Sequence, residues 1–254
     1  MPHSNLQYLP IVLGTALPVT FIWTYIIAVS LRHVEPGFPF ISHAGNEIPE
    51  SCFFGQMLNI CAALMTLCVY IRHRQLVSQE PPYRPPLALL KSGLWTGWIA
   101  SLGVSIVGNF QLESLIIVHG VGAFFAFIIG IPYLWIQVVC TTYDPPSKYS
   151  KVVIQTRIVL ASIATFSLVV LLATMLASYI MLSLGLKNDV QFGLYLTSAV
   201  AEWVMAMAMS AFIVTFAREF QQISLTTPEV HRIKKGVKQT GNYGSISEAS
   251  IETD

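Results

Sequence analysis

Residues 158–186 read IVLASIATFSLVVLLATMLASYIMLSLGL, a run without a single acidic or basic side chain. In a helix rising ~1.5 Å per residue, about 20 apolar residues cross the ~30 Å hydrocarbon core of a bilayer, and this run is longer than that. Runs 1–31, 51–71, 92–112 and 114–143 are equally free of charge, and 190–217 carries only Glu202. Of the 254 residues only 11% are charged, where a soluble domain has roughly a quarter. The pattern predicts an all-α polytopic membrane protein, a six-transmembrane-helix bundle with helices at about 9–31, 52–71, 87–110, 115–140, 158–184 and 194–216.

The charges that interrupt these runs set the expected orientation. Arg72, Arg74, Arg84, Lys91, Lys148, Lys151, Arg157, Arg218, Arg232, Lys234, Lys235 and Lys238 fall on one side of such a bundle, and only Arg32 and Lys187 on the other. Cytosolic loops of membrane proteins are enriched in Lys and Arg, so both termini are expected in the cytosol. The chain then divides into a membrane domain, 1–225, and a polar cytosolic tail, 226–254, rich in Ser, Thr, Gly and Lys and expected to be disordered. The first run lacks a basic leader and a small-residue cleavage site, and reads as a retained helix.

Several function classes fall away. A net charge of +1 with no basic stripe gives no grip on nucleic acid. Three of the four cysteines, Cys61, Cys68 and Cys140, sit in or beside apolar runs and cannot form an extracellular disulfide framework. There is no His-Glu-x-x-His, no Gly-x-Ser-x-Gly, no phosphate loop and no cysteine pair with zinc spacing. No enzyme activity, cofactor or metal is therefore expected.

Small residues suggest how the helices meet, because lipid offers helices no hydrophobic reason to associate and close backbone approach must supply the attraction. Gly93, Gly97, Ser101 and Ser105 recur every four residues on the third helix, and Gly122, Ala126 and Gly130 on the fourth. The short connection between these helices predicts an antiparallel pair meeting through the two ladders.

Glu202 is the residue most in need of explanation, since a carboxylate in the middle of a membrane helix costs on the order of 2.5–3.5 kcal/mol on insertion scales. It should face the bundle interior. With the termini cytosolic, Gln56, Asn59, Asn109, Gln111, His119 and Glu202 all fall in the lumenal half of the bilayer, with Trp203 beside them. They are expected to form a polar cluster or shallow cavity, read as a ligand or lipid head-group site, a hydrogen-bond network locking the helices, or an acid–base site. The first lumenal loop carries Pro39, Phe40, Ile41, Ser42, Gly45, Pro49, Glu50, Ser51 and Cys52, and its glycines and prolines predict a folded turn. Its histidines, His33 and His43, could titrate in an acidic lumen.

These residues also carry a resemblance. Pro39-Phe40-Ile41-Ser42 through Gly45 to Pro49-Glu50-Ser51-Cys52-Phe53, then Asn59, Gly108-Asn109-Phe110-Gln111, His119, Ala201-Glu202-Trp203 and Phe216–Ser224 resemble the damage-regulated autophagy modulator (DRAM) family of six-helix membrane proteins. The resemblance covers nearly all of the chain to about Leu225. It implies a multi-pass lysosomal or endolysosomal protein that promotes autophagy, in some members linked to cell death, with no established enzymatic activity. It also implies two alternatives through wider relatives: a plasma-membrane scaffold for a phosphoinositide kinase or a channel regulator, and a lipid-remodelling enzyme.

The tail adds one address signal. Tyr243-Gly244-Ser245-Ile246 has the Tyr-x-x-apolar form that clathrin adaptors bind as an added strand, with Tyr243 and Ile246 as its anchors. The basic cluster Arg232, Lys234, Lys235, Lys238 could instead rest on anionic lipid. The expected partners are thus membrane lipids, a clathrin adaptor and proteins that the sequence does not identify.

Overall fold

A computed structural model of the chain describes residues 5–144, 150–185 and 189–224, and every element among them is helical. The expected tail 226–254, with Tyr243 and Ile246, lies outside the described residues. The elements are α1 Tyr8–Ser30, the short α2 Ile41–Ala44, α3 Glu50–Val77, α4 Leu87–Asn109, α5 Ile116–Ala123, α6 Gly130–Thr141, α7 Ser150–Ser183, α8 Asp189–Val214 and α9 Ala217–Phe220. A π-helical segment, Phe124–Ile129, joins α5 to α6 in one continuous rod. Six helical stretches are long and apolar enough to cross a membrane.

The spans form a closed ring in chain order. α1 packs on α3, α3 on α4, α4 on α5, the π segment and α6, α6 on α7, α7 on α8, and α8 back on α1. A short 3-10 turn, Asn5–Gln7, packs against α9, so the first and last described elements share one end of the ring. The loop between α1 and α3 caps the opposite end, called here the first-loop end.

α3 and α7 run beyond their apolar runs. α3 continues through Arg72 and Arg74 to Val77, and α7 starts at Ser150, ahead of Arg157. Apolar length alone misses these turns because helix is limited by backbone hydrogen bonding, and polar side chains continue it freely. At ~1.5 Å per residue the 34 residues of α7 span about 51 Å, well beyond the hydrocarbon core.

α4 is the tightest fit in the ring and has small residues on more than one face. A Cβ on Gly97 would lie 2.7 Å from Val69 of α3 and 3.0 Å from Tyr133 of α6. A Cβ on Gly103 would strike the backbone of Gly122 and of Ala126. Gly108 and Gly55 bring α4 onto α3 in the same way. The expected antiparallel pairing of α4 with the next span is present, but Gly103, outside the four-residue ladder, makes its closest approach. Ser105 of that ladder turns instead to Asn59 on α3.

Backbone cannot yield as a flexible side chain can, so Gly103→Ala should destabilise the fold by about 1–3 kcal/mol. Gly120, with open space around it, should accept Ala without loss. Thermal melting of the purified protein in detergent, comparing the two variants, checks both outcomes.

Candidate functional site

The first-loop end is built around Glu202, which α8 holds 6% exposed on its inward face. The loop after α1 turns inward at Pro39–Phe40, and α2 follows with Ile41, Ser42 and Ala44 buried. The first amides of a helix have no partner within it, and the N–H of Ile41 donates instead to Oε2 of Glu202 at 2.7 Å. A buried hydrogen bond of this kind fixes the loop to the membrane helix. Next to Glu202, the indole N–H of Trp203 donates to the carbonyl of Pro39 at 2.9 Å. Phe21, Tyr25 and Phe38 pack edge-on around the indole with centroids 6.5, 6.3 and 6.2 Å away.

Ser42 joins this attachment to the next turn of the bundle. Its hydroxyl lies 3.0 Å from Nε2 of His119, while Nδ1 of His119 lies 2.7 Å from the carbonyl of Phe110. A carbonyl only accepts, so Nδ1 carries a proton, and in the neutral ring Nε2 accepts from Ser42. Glu202, α2, His119 and the turn after α4 thus form one hydrogen-bonded chain. Further out, His43 Nε2 is 3.1 Å from Glu113, and Asn46 and Glu113 bond each other reciprocally. His33 Nδ1 meets the buried Glu50 at 2.5 Å, and the other oxygen of Glu50 is buried without a hydrogen-bond partner.

The loop residues singled out in the sequence have specific contacts here. Gly45 is required by close approach, since a Cβ there would lie 2.7 Å from the Phe54 ring. Pro39 supplies the carbonyl for Trp203, Pro49 precedes the first turn of α3, and Cys52 is an exposed free thiol.

The structure distributes the expected polar residues into separate groups. Glu202, His119 and Trp203 belong to the assembly around α2. Asn59 and Asn109 form their own pair, exchanging amide hydrogen bonds of 3.0 and 2.9 Å across α3 and α4, with Ser105 donating to Asn59 at 2.7 Å. Gln56 is exposed, and Gln111 lines an outer polar groove with Asn46, Glu47, Cys52 and Glu113. Depth in the bilayer placed these side chains at one level, but their direction around each helix separates them.

Behind Glu202 lies a cavity of about 80 Å³ on the axis of the ring. Its wall is apolar, with Leu58, Met65, Val107, Phe127, Met209 and Ile213 among its residues, and Glu202 and Ser42 bring polar groups to it. The π segment contributes Ala126 and Phe127, and a widened turn of this type is a recurrent feature of functional sites.

The other end of the ring holds an ionic assembly that the sequence did not announce. Arg72 and Arg157 are fully buried. Arg157 pairs with Glu219 at 2.6 Å, and Arg72 with Asp144 at 3.3 Å and Glu219 at 3.9 Å. Arg72 also donates to Gln75 and Gln137, and Arg157 to Thr215 and Thr141. Both guanidiniums sit over the Phe216 ring, 5.9 and 4.7 Å from its centroid. The assembly ties α3, α6, α7 and α8 to the short α9. Its signal in the sequence was the isolated Glu219 just past an apolar helix, facing two arginines at the ends of apolar runs. Removing one member of a buried ion assembly strands the others, so Glu219→Ala should cost about 3–5 kcal/mol, read as a drop in melting temperature. Exposed Lys91→Ala should leave melting unchanged.

Comparison with known proteins agrees with this architecture along the chain. DNA damage-regulated autophagy modulator protein 2 of Rattus norvegicus is 35% identical over 231 residues, covering 88% of this chain and 86% of the relative. Modulator of macroautophagy TMEM150B of Danio rerio is 34% identical over 236 residues, 92% of this chain and 93% of the relative. DNA damage-regulated autophagy modulator protein 1 of Homo sapiens is 29% identical over 224 residues, 87% and 93%. No solved structure matches. The Frag1/DRAM/Sfk1/Cwh43P N-terminal domain matches residues 5–223, which takes in all six spans and both polar ends of the ring, and the chain belongs to this Frag1/DRAM family.

Proposed function

We propose that the protein modulates autophagy from an endolysosomal membrane, acting without catalysis through lipid or protein contacts of its helical ring. The observation that carries this reading is kinship across the whole ring with relatives named as autophagy modulators. In this reading the α9 end faces the cytosol and the first-loop end faces the lumen. Even with Arg72 and Arg157 set aside as buried, Arg74, Arg84, Lys91, Lys151 and Arg218 remain on the α9 side among the described residues, against Arg32 at the other end.

His33 beside Glu50 and His43 beside Glu113 are ion pairs only when the imidazoles are protonated. The Ser42 hydroxyl donates to His119, but Nδ1 of that ring is held by the Phe110 carbonyl and not by a carboxylate, and we read this chain as fastening the loop for a binding or sensing role.

Tagged protein should colocalise with lysosomal markers, and Tyr243→Ala should move it to the cell surface. Wild-type protein already at the surface would favour a plasma-membrane scaffold or channel regulator. Glu202→Gln, folded and correctly located, should lower autophagic flux at least twofold by turnover of a lipidated autophagosome marker. Unchanged flux would remove Glu202 from the mechanism.

A further inference from the structure

Among the described residues, the buried and partly buried acids of the ring differ in what they face. Glu50 meets His33, Asp144 meets Arg72, and Glu219 meets both Arg157 and Arg72. Glu202 has no basic side chain opposite it. It accepts the Ile41 amide, lies in hydrogen-bond contact with the Ser42 side chain, and borders a cavity whose wall is otherwise almost wholly apolar. An ionised carboxylate has about four acceptor positions, so one backbone amide and one hydroxyl that His119 also engages leave at least half of its hydrogen-bonding capacity unmet. A buried charge in this state calls for a counter-charge or a proton.

The surroundings of the carboxylate select the kind of counter-charge. A bare metal ion would need several oxygen ligands, and the cavity offers only Ser42 and Ser210 beside Glu202, with the Ser210 hydroxyl already donating to the carbonyl of Ala206. A fatty acid or phosphate head would be repelled. An ammonium group satisfies Glu202 with up to three N–H donors, and the apolar wall behind it receives methylenes. The volume of about 80 Å³ admits the head and its first few carbons. Met65 and Met209 line the path beyond, and their flexible thioethers can yield to a longer chain.

We propose that the axial cavity is a binding site for an amphiphile with a primary amine head, its ammonium on Glu202 and its alkyl chain among Met65, Val107, Met209 and Ile213. The assignment rests on the lipid-contact reading above and specifies the lipid's chemistry.

The test uses the purified full-length protein in nanodiscs with two photoreactive probes of equal chain length, a hexadecylamine and a hexadecanol. The amine should crosslink to peptides of α3 and α8, and unlabelled hexadecylamine should compete. The alcohol should label at least tenfold less. Glu202→Gln keeps an oxygen for the Ile41 amide but removes the charge, and should lower amine labelling at least tenfold. Ala206→Phe fills the cavity with the carboxylate intact and should also abolish labelling.

Equal labelling by both probes would overturn the proposal, as would undiminished amine labelling in a folded Glu202→Gln variant or no labelling of the wild type. If Glu202→Gln fails to fold, the amine-to-alcohol ratio on the wild type and the Ala206→Phe result decide. Since the readout is binding to purified protein, it is independent of location and flux. Labelling with unchanged flux would sink the functional reading alone, and flux loss without labelling would sink this one alone.

Discussion

A carboxylate in the middle of a membrane helix must find its hydrogen-bond donors inside the protein, because lipid offers none. Glu202 finds its donor in the backbone of Ile41, in a loop 161 residues away in sequence. A side-chain donor could have come from a neighbouring helix without shaping the loop. A backbone donor requires the loop itself to descend, and α2 with its buried Ile41, Ser42 and Ala44 is the consequence. Trp203 then closes the adjacent position by binding the Pro39 carbonyl, so two successive residues of α8 fix two nearby peptide groups of the loop. The loop is thereby seated on two successive side chains of α8, and the Ser42–His119 contact holds it from the next helix.

The two ends of the ring solve the burial of charge in opposite ways. At the α9 end, two guanidiniums face two carboxylates and share an aromatic ring, so the assembly balances its charge internally and acts as a fixed clamp. Such assemblies contribute little net stability compared with an apolar core, but strongly resist losing one member. At the first-loop end the charge is left unbalanced beside an axial cavity. Glu202 therefore differs from Asp144 and Glu219 in having no basic side chain opposite it.

Charge-free runs made the six spans legible because the bilayer penalises charge over a fixed length, and this penalty is written directly into composition. The importance of Glu202 was legible for the same reason. The burial of Arg72 and Arg157 was not, because counting basic residues by side treats each as a loop charge. Their burial depends on Glu219 and Asp144 meeting them in space, from sequence positions 62 to 147 residues away. The expected polar cluster divides by direction around the helices: Asn59 and Asn109 bond each other between α3 and α4, while His119 turns to Ser42. The donor to Glu202 escaped notice because it is a backbone amide, and no residue type signals its use. The π segment is equally silent in Phe124–Ile129, where no proline or glycine marks the widened turn.

A ring of six helices with none at its centre leaves an axial space that side chains must fill. At the α9 end Phe212, Phe216 and Phe220 do so, each fully or nearly fully buried. Toward the first-loop end Phe21, Phe54 and Leu58 close in from α1 and α3, but the opposite wall is made by Ala126 and Ala206, which are small. The packing deficit therefore falls beside Glu202 and between two methionines. In a fold whose other approaches are close enough to exclude a single methyl group at Gly103, an axial space next to a carboxylate with no basic side chain opposite it is the packing feature on which the proposed amine site rests.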